Sequence, residues 1–434
     1  MSTVALATLG CKVNQCESAY LEEIFSKSNY QIRPFTEKAD LYCINTCAVT
    51  SRAAMQSRQL IRRAARQNGA AKIAVLGCYS QVAAEEIATI PGVTHVIGTS
   101  EKLVLLDYIS GGEEDTTPLI HLTDVRNAPD PIPLVFSAFA NRTRAFLKVQ
   151  DGCDGFCSYC VVPHARGRSR SIPLPSIVEQ VERFLAYGYQ EIVLTGIHLG
   201  QWGYDSKPQL ELTELLRSVL RHCPPPRLRL SSLEPGEILP DLLTLIASEP
   251  GLCPHLHIPL QSGDPTILEQ MNRHYHPHFY REIVLEAIQR IPDLAVGVDV
   301  MAGFPGETEE RFQNTYRLID SLPIAYLHIF PFSPRPGTPA ATMGEKISPP
   351  VIRRRCRLLR ELDKRKRLSF LNRFLGKVRP VLVENRQDKA TGLPRGFSDN
   401  YLPVVVQADS PLENQILLAR LDRIEANRLV AIPA

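Results

Sequence analysis

The chain has 434 residues, 44% of them hydrophobic, with eleven cysteines and a formal net charge of +3. That length suits about three domains with cores large enough to fold without disulfides, and no run reaches the roughly 18 apolar residues of a membrane span. The opening MSTVALATLG lacks the basic start and apolar stretch of a secretory signal, so the chain reads as cytoplasmic, where this many cysteines point to metal or redox chemistry.

Residues 1–115 alternate short apolar strands with helical patterns: VALATLG before CESAYLEEIFSK, LYCINT before SRAAMQSRQLIRRAARQ, KIAVLG before SQVAAEEIATI. That rhythm predicts an N-terminal α/β domain with a parallel sheet. A Pro-rich, acidic linker is expected over 116–138, its composition already shifting at Gly111. Residues 139–350 repeat strand and helix six times, the strands being AFLKVQ, EIVLTG, RLRLSSL, HLHIPLQ, AVGVDVM and YLHIFPF. Six parallel units predict a partial (β/α)6 TIM-like barrel, with its chemistry at the carboxyl ends of the strands. A second Pro-rich stretch, PFSPRPGTPAATMGEKISPP, closes that block. A basic connecting helix follows over 351–375, with Leu358, Leu362, Leu368, Leu371 and Leu375 expected as its apolar stripe. The rest, 376–434, carries four β-rich runs, VRPVLVE, YLPVVVQ, QILLARL and RLVAIP, and predicts a small antiparallel β-barrel.

CDGFCSYC places Cys153, Cys157 and Cys160 directly after the first barrel strand. Thiolates favour zinc or iron–sulfur clusters. A structural zinc site takes four protein ligands. Three cysteines instead suit a cubane with one iron left open for a small molecule. A second set is scattered in sequence but shares one setting. Cys11 ends ATLGC, Cys47 ends INTC and Cys78 ends AVLGC, each just after a predicted parallel strand. Parallel strands put their carboxyl ends on one edge, so these thiols should converge into a second three-cysteine site. Cys16 and Cys43 read as buried packing, and Cys223, Cys253 and Cys356 lack partners at metal spacing.

Cys-x3-Cys-x2-Cys at the end of the first strand of a partial barrel resembles the radical S-adenosylmethionine (SAM) enzymes. The resemblance implies a 4Fe–4S cluster on Cys153, Cys157 and Cys160 whose open iron chelates SAM, cleaved to a 5′-deoxyadenosyl radical. It also implies that Tyr159 lies near the adenine and that Thr195 and Gly196 stand at the amino-group motif. Ser232, Glu234, His257 and Gln261 become candidates for ribose or substrate contacts, with ordinary loop capping as the alternative. With LGCKVNQCES, INTCAVT, LGCYSQ, CDGFCSYCVVPHARG and GFPGETEE, nearly the whole chain resembles the methylthiotransferases. In that family the N-terminal domain holds an auxiliary 4Fe–4S cluster, here on Cys11, Cys47 and Cys78, and the C-terminal barrel is an RNA-binding TRAM domain. The cofactors implied are two 4Fe–4S clusters and SAM.

The family's targets are isopentenyladenosine or threonylcarbamoyladenosine in tRNA, or an aspartate of a ribosomal protein. LGCKVNQCES most resembles the threonylcarbamoyladenosine branch, since the isopentenyladenosine branch tends to carry Gln-Met where Lys12 and Val13 stand. The expected reaction replaces C–H by C–SCH3 on an adenosine ring at position 37. Expected partners are the tRNA anticodon stem-loop and a cellular electron donor, with no membrane and a monomeric enzyme. Independently of the resemblance, the basic run Arg353 to Arg379 suits a polyanion, and the helix Arg52 to Arg66 could add contacts. After ARG the family often has Ser-Arg; here RSRS runs into Ile172, which leaves Arg166, Arg168 and Arg170 as alternative substrate contacts. A non-catalytic iron–sulfur protein, binding RNA or carrying electrons, is the reading of another class.

Overall fold

The computed structural model describes residues 1–109, 117–140, 142–408 and 412–434. Six parallel strands form the N-terminal sheet: β1 (Thr3–Thr8), β2 (Gln31–Arg33), β3 (Leu41–Thr46), β4 (Lys72–Gly77), β5 (His95–Ile97) and β6 (Leu119–His121), in the order β2-β1-β3-β4-β5-β6. The chain moves outward from β1 to β2 and then returns to the other side for β3. Ligands in such sheets sit at the carboxyl ends beside that reversal. The stretch 111–116, where the composition shifts toward the expected linker, lies outside the described residues. The remainder is not all linker, because β6 pairs with β5 through His95↔Leu119, Val96↔Ile120 and Ile97↔His121. Three residues are too few to display a period in the sequence, so this strand, like β2 and β5, was not anticipated.

The central block carries β7 (Arg144–Lys148), the two-residue pair β8 (Gln150–Asp151) and β9 (Arg170–Ser171), β10 (Glu191–Thr195), β11 (Arg227–Leu230), β12 (His255–His257), β13 (Ala295–Ala302) and β14 (Tyr326–Pro331). β7, β10 and β11 pair in parallel, as do β12, β13 and β14. A parallel bridge from Ser232 to His257 joins the two halves into one six-stranded arc. An arc is not a closed barrel, so β7 and β14 each need a cover. Helix Lys12–Lys27 of the N-terminal domain packs on β7, with the Cys16 thiol donating to the Phe146 carbonyl at 3.2 Å. Helix Pro349–Asn372 packs on β14, where the Leu327 N–H donates to Asp363 at 2.7 Å.

That helix buries Cys356, Leu359, Leu362, Phe370 and Leu371, whereas Leu368 and Leu375 are 44% and 39% exposed. The leucine stripe expected from the sequence is therefore rotated. Aromatic Phe370 and Phe374 reach the C-terminal core in place of Leu368 and Leu375. That C-terminal barrel has five strands, β15 (Val378–Gln387), β16 (Pro394–Ser398), β17 (Pro403–Val406), β18 (Ile416–Glu425) and β19 (Arg428–Pro433). β16, PRGFS, was missed because proline and glycine argue against a strand. One pairing, β17 with β19, is parallel.

The C-terminal barrel docks on the amino ends of the arc. Arg227 donates to the carbonyls of Pro380 and Phe397, and Arg144 pairs with Glu384 at 3.0 Å. Between them Glu191 is fully buried, 2.8 Å from Arg229. Burial would raise its pKa, but Arg229, Arg144 and Arg227 hold it down at about 2. A carboxyl depressed from its unfolded value of about 4.5 contributes roughly 3 kcal/mol that is present above that value and lost as pH falls toward 2. Glu191→Gln should therefore lose about 3 kcal/mol at pH 7 and progressively less in acid, as read from urea denaturation across that range.

Candidate functional site: two cysteine triads

The β8–β9 pair fixes both ends of the cysteine loop, with Asp151 opposite Arg170. Gly152 has φ +77°, and a Cβ there would lie 1.8 Å from the Arg168 carbonyl oxygen, so only glycine fits. The Cys153 N–H donates to the Gly167 carbonyl at 3.0 Å, and the Gly155 N–H points at the Cys153 sulfur at 3.3 Å. Cys153, Cys157 and Cys160, each partly exposed, line a cavity of about 420 Å³ at the carboxyl ends of the arc. That volume suits a cofactor of SAM's size.

Of the other residues singled out in the sequence, Tyr159, Glu234 and Gln261 line this cavity. Tyr159 also packs against the apolar cluster of Ile267, Met271, Phe304 and Ala340, and burial pushes its hydroxyl well above the usual tyrosine range. Glu234 pairs with Arg273, whose guanidinium lies 3.7 Å from the Cys157 sulfur. Gln261 takes the left-handed conformation, φ 60°, which turns the chain at the rim. Thr195 and Gly196 do not line the cavity, Gly196 lying against Gln150, and the adjoining Ile197 and His198 line it instead. Ser232 and His257 bond each other at 2.6 Å and do not line it. His257 turns toward Asp299 at 3.1 Å, beside His328. Sequence reasoning missed His198, 3.4 Å from the Cys153 sulfur and 2.7 Å from Glu237, and it missed Arg273. Neither lies in a motif whose spacing announces a role.

The second triad sits where β1, β3 and β4 end side by side. Cys11 caps helix Lys12–Lys27, Cys47 follows β3 and Cys78 follows β4. Gly10, with φ +99°, lets the chain pass so close that a Cβ there would meet the Cys47 sulfur at 3.1 Å. Cys47 and Cys78 are buried and Cys11 is exposed. Burial, with Cys78 and Cys11 nearby, pushes Cys47 up to about 11. Metal binding at such thiols must therefore release protons.

Helix Val162–Arg166, which starts two residues after Cys160, joins the two sites. Val161 and Ala165 enter the N-terminal core with Cys78 and Tyr79. Arg166 is 1% exposed and Arg170 6%, while Arg168 is exposed, so the structure separates the three arginines that the sequence left as alternatives. The Pro-rich stretch after β14 crosses above both sites. The Ala340 N–H donates to the Ser158 carbonyl, and the Ser333 hydroxyl accepts from the N–H of Ser51, which opens the helix after Cys47.

These donors fit iron–sulfur clusters. Three thiolates on one tetrahedral zinc, with Zn–S about 2.3 Å, would be about 3.8 Å apart. Among the described residues, only His257, Asp299 and His328 bring three ligand atoms within 4.8 Å of one another. Neither cysteine triad meets that spacing as it stands, and three soft thiolates suit a cubane with one iron left open.

Two family models match. One, described as uncharacterized protein family UPF0004, covers residues 3–98, and the Radical SAM superfamily covers residues 147–319. The chain is 37% identical to the threonylcarbamoyladenosine tRNA methylthiotransferase MtaB of Bacillus subtilis (strain 168), over 97% of this chain and 94% of that protein. The chain belongs to the radical SAM methylthiotransferases. It is also 32% identical to the tRNA-2-methylthio-N(6)-dimethylallyladenosine synthase of Erythrobacter litoralis (strain HTCC2594), over 88% of this methylthiotransferase and 86% of that one. In fold it resembles the radical S-adenosylmethionine methyltransferase TsrM from Kitasatospora setae, with TM-score 0.58 and 16% identity over 79% of this chain and 75% of that one. Gly152→Ala should leave the N-terminal triad loaded and empty the other, so iron per chain should fall by about half while the far-UV circular dichroism is unchanged.

Proposed function

We propose that this methylthiotransferase converts N6-threonylcarbamoyladenosine at position 37 of tRNA to its 2-methylthio derivative. The observation that carries this reading is the pair of three-cysteine sites joined by helix Val162–Arg166, whose Arg166 reaches the Cys78 sulfur. Clusters held at the two triads, with SAM, would supply radical activation of the C2–H bond, the sulfur and the methyl group. Cys153, Cys157 and Cys160 would hold one cluster, and Cys11, Cys47 and Cys78 the other. Around the first, Tyr159 and Gln261 would bound the cofactor, while Arg273 and His198 would offset the thiolate charge. The Pro-rich stretch above the sites would limit water.

The threonylcarbamoyl group distinguishes this substrate from an isopentenyl one by a carboxylate. The relatives described above support the former, the threonylcarbamoyl enzyme matching at 37% and the dimethylallyl enzyme at 32%. Lys12, beside Cys11 and exposed to solvent, supports it further, since it offers a cation where the isopentenyl branch tends to have glutamine. Nucleoside mass spectrometry of tRNA from cells lacking the gene tests the reading. Methylthio-threonylcarbamoyladenosine should vanish and its unmethylthiolated precursor should accumulate. Loss of the methylthio-isopentenyl nucleoside instead would refute it.

The anticodon arm has a candidate track along helix Pro349–Asn372. Many of its cations are occupied internally: Arg355 with Glu307, Arg365 with Asp320 and Arg367 with Asp363. Arg353, Arg357, Arg360 and Lys364 are exposed and form no ion pair among the described residues. Their spacing puts them on one helical face. Replacing all four with Ala should weaken tRNA binding and flatten the slope of log K against log salt by about 3.

A further inference from the structure

Arg166 is contributed by the barrel, yet its guanidinium lies against the N-terminal triad. Its Nε–H donates to the Cys78 sulfur at 3.3 Å. One Nη donates to Asp151 at 2.8 Å and to Glu17 at 3.0 Å, and the other donates to the Asn14 side-chain oxygen at 2.6 Å. Every branch of the fork is used, so its orientation is fixed. Asn14 in turn donates to the carbonyls of Leu9 and Thr46, the residues leading into Cys11 and Cys47. Asp151 accepts from the Gly152 N–H at 2.9 Å, next to Cys153. One side chain thus touches or braces all three loops of the N-terminal triad and the entry to the other triad.

The charge around it is unbalanced. Lys102, Lys148 and Arg166 are buried with Glu17 and Asp151, three cations with two carboxylates. The excess positive charge abuts the Cys78 sulfur. An oxidised 4Fe–4S core on three thiolates carries about one negative charge and gains another on reduction. Hydrogen bonds to cluster sulfurs and nearby positive charge both favour the reduced, more negative form.

We propose that Arg166 is a positioning residue of the N-terminal site that raises the reduction potential of the cluster held there, through its Nε–H to Cys78 and its unbalanced charge. This rests on the reading that Cys11, Cys47 and Cys78 hold a 4Fe–4S cluster. Removing the guanidinium leaves Glu17 paired with Lys102 and Asp151 paired with Lys148, so each buried carboxylate keeps a cation in Arg166→Met.

The test uses the full chain with Cys153, Cys157 and Cys160 replaced by Ala, so that only the N-terminal site can hold a cluster. Iron content and the midpoint potential, followed by electron paramagnetic resonance, are compared for Arg166, Arg166→Lys and Arg166→Met. The potential should fall in the Met variant and fall by less in the Lys variant, which keeps the charge but loses the sulfur contact. Unchanged potentials in iron-loaded variants would overturn the proposal. If the Met variant loads no iron, the Lys variant decides alone, an unshifted potential counting against the proposal. If neither loads iron, Arg166 is a folding residue and the proposal fails. A parent protein without iron would instead refute the cluster reading itself, and the proposal with it.

Discussion

Five charged groups lie buried between the N-terminal sheet and the barrel, and the placement of both cysteine triads depends on them. Glu17 is 0% exposed, with Lys102 at 2.6 Å, Arg166 at 3.0 Å and Lys148 at 3.7 Å. Burial would raise its pKa, but these three cations hold it down at about 2. Taking such charges out of water costs several kcal/mol each unless geometry and hydrogen bonds compensate. Here the partners come from opposite sides. Glu17 and Lys102 belong to the N-terminal domain, and Lys148, Asp151 and Arg166 to the barrel. The network is satisfied in one docking geometry, and that geometry brings the carboxyl edge of a parallel sheet to the mouth of the arc.

The rest of the site follows from strand direction. β1, β3 and β4 are neighbours running the same way, so residues just past their ends must gather. The arc does the same for Cys153, Glu234 and Gln261 from different strands. The arc is open at β7, and the N-terminal helix Lys12–Lys27 covers that edge. The opposite end is sealed by the C-terminal barrel, where Tyr401 lies beneath Arg229 with 5.0 Å from guanidinium to ring centre.

Much of this was legible in the residues, for identifiable reasons. Six strands of the arc announced themselves by apolar runs, and the thiols by their position after those runs. LGCKVNQCES was readable as a motif, but the separate tasks of its residues were not. Asn14 braces two loops, Cys16 meets the Phe146 carbonyl and Glu17 anchors the ion network, and each does so through a partner 30 or more residues away. Long-range pairing of polar side chains leaves no periodic trace, which is also why His198 and Arg273 escaped notice. The leucine stripe on helix Pro349–Asn372 misled because leucine was counted and phenylalanine was not. Phe370 and Phe374 carry the burial that Leu368 and Leu375 do not. The short strands β2, β5 and β6 escaped because pairing, not pattern, makes them strands.

The ion network also bears on modularity. The N-terminal sheet and the barrel resemble separable units, and a chimera that joined one paralogue's first domain to another's barrel would be a natural engineering plan. Such a graft would strand Arg166, Lys148 and Asp151 in a dry interface unless Asn14, Glu17 and Lys102 travelled with them. Exchanging substrate preference between members by swapping whole domains is therefore constrained at the seam that joins the two cysteine sites.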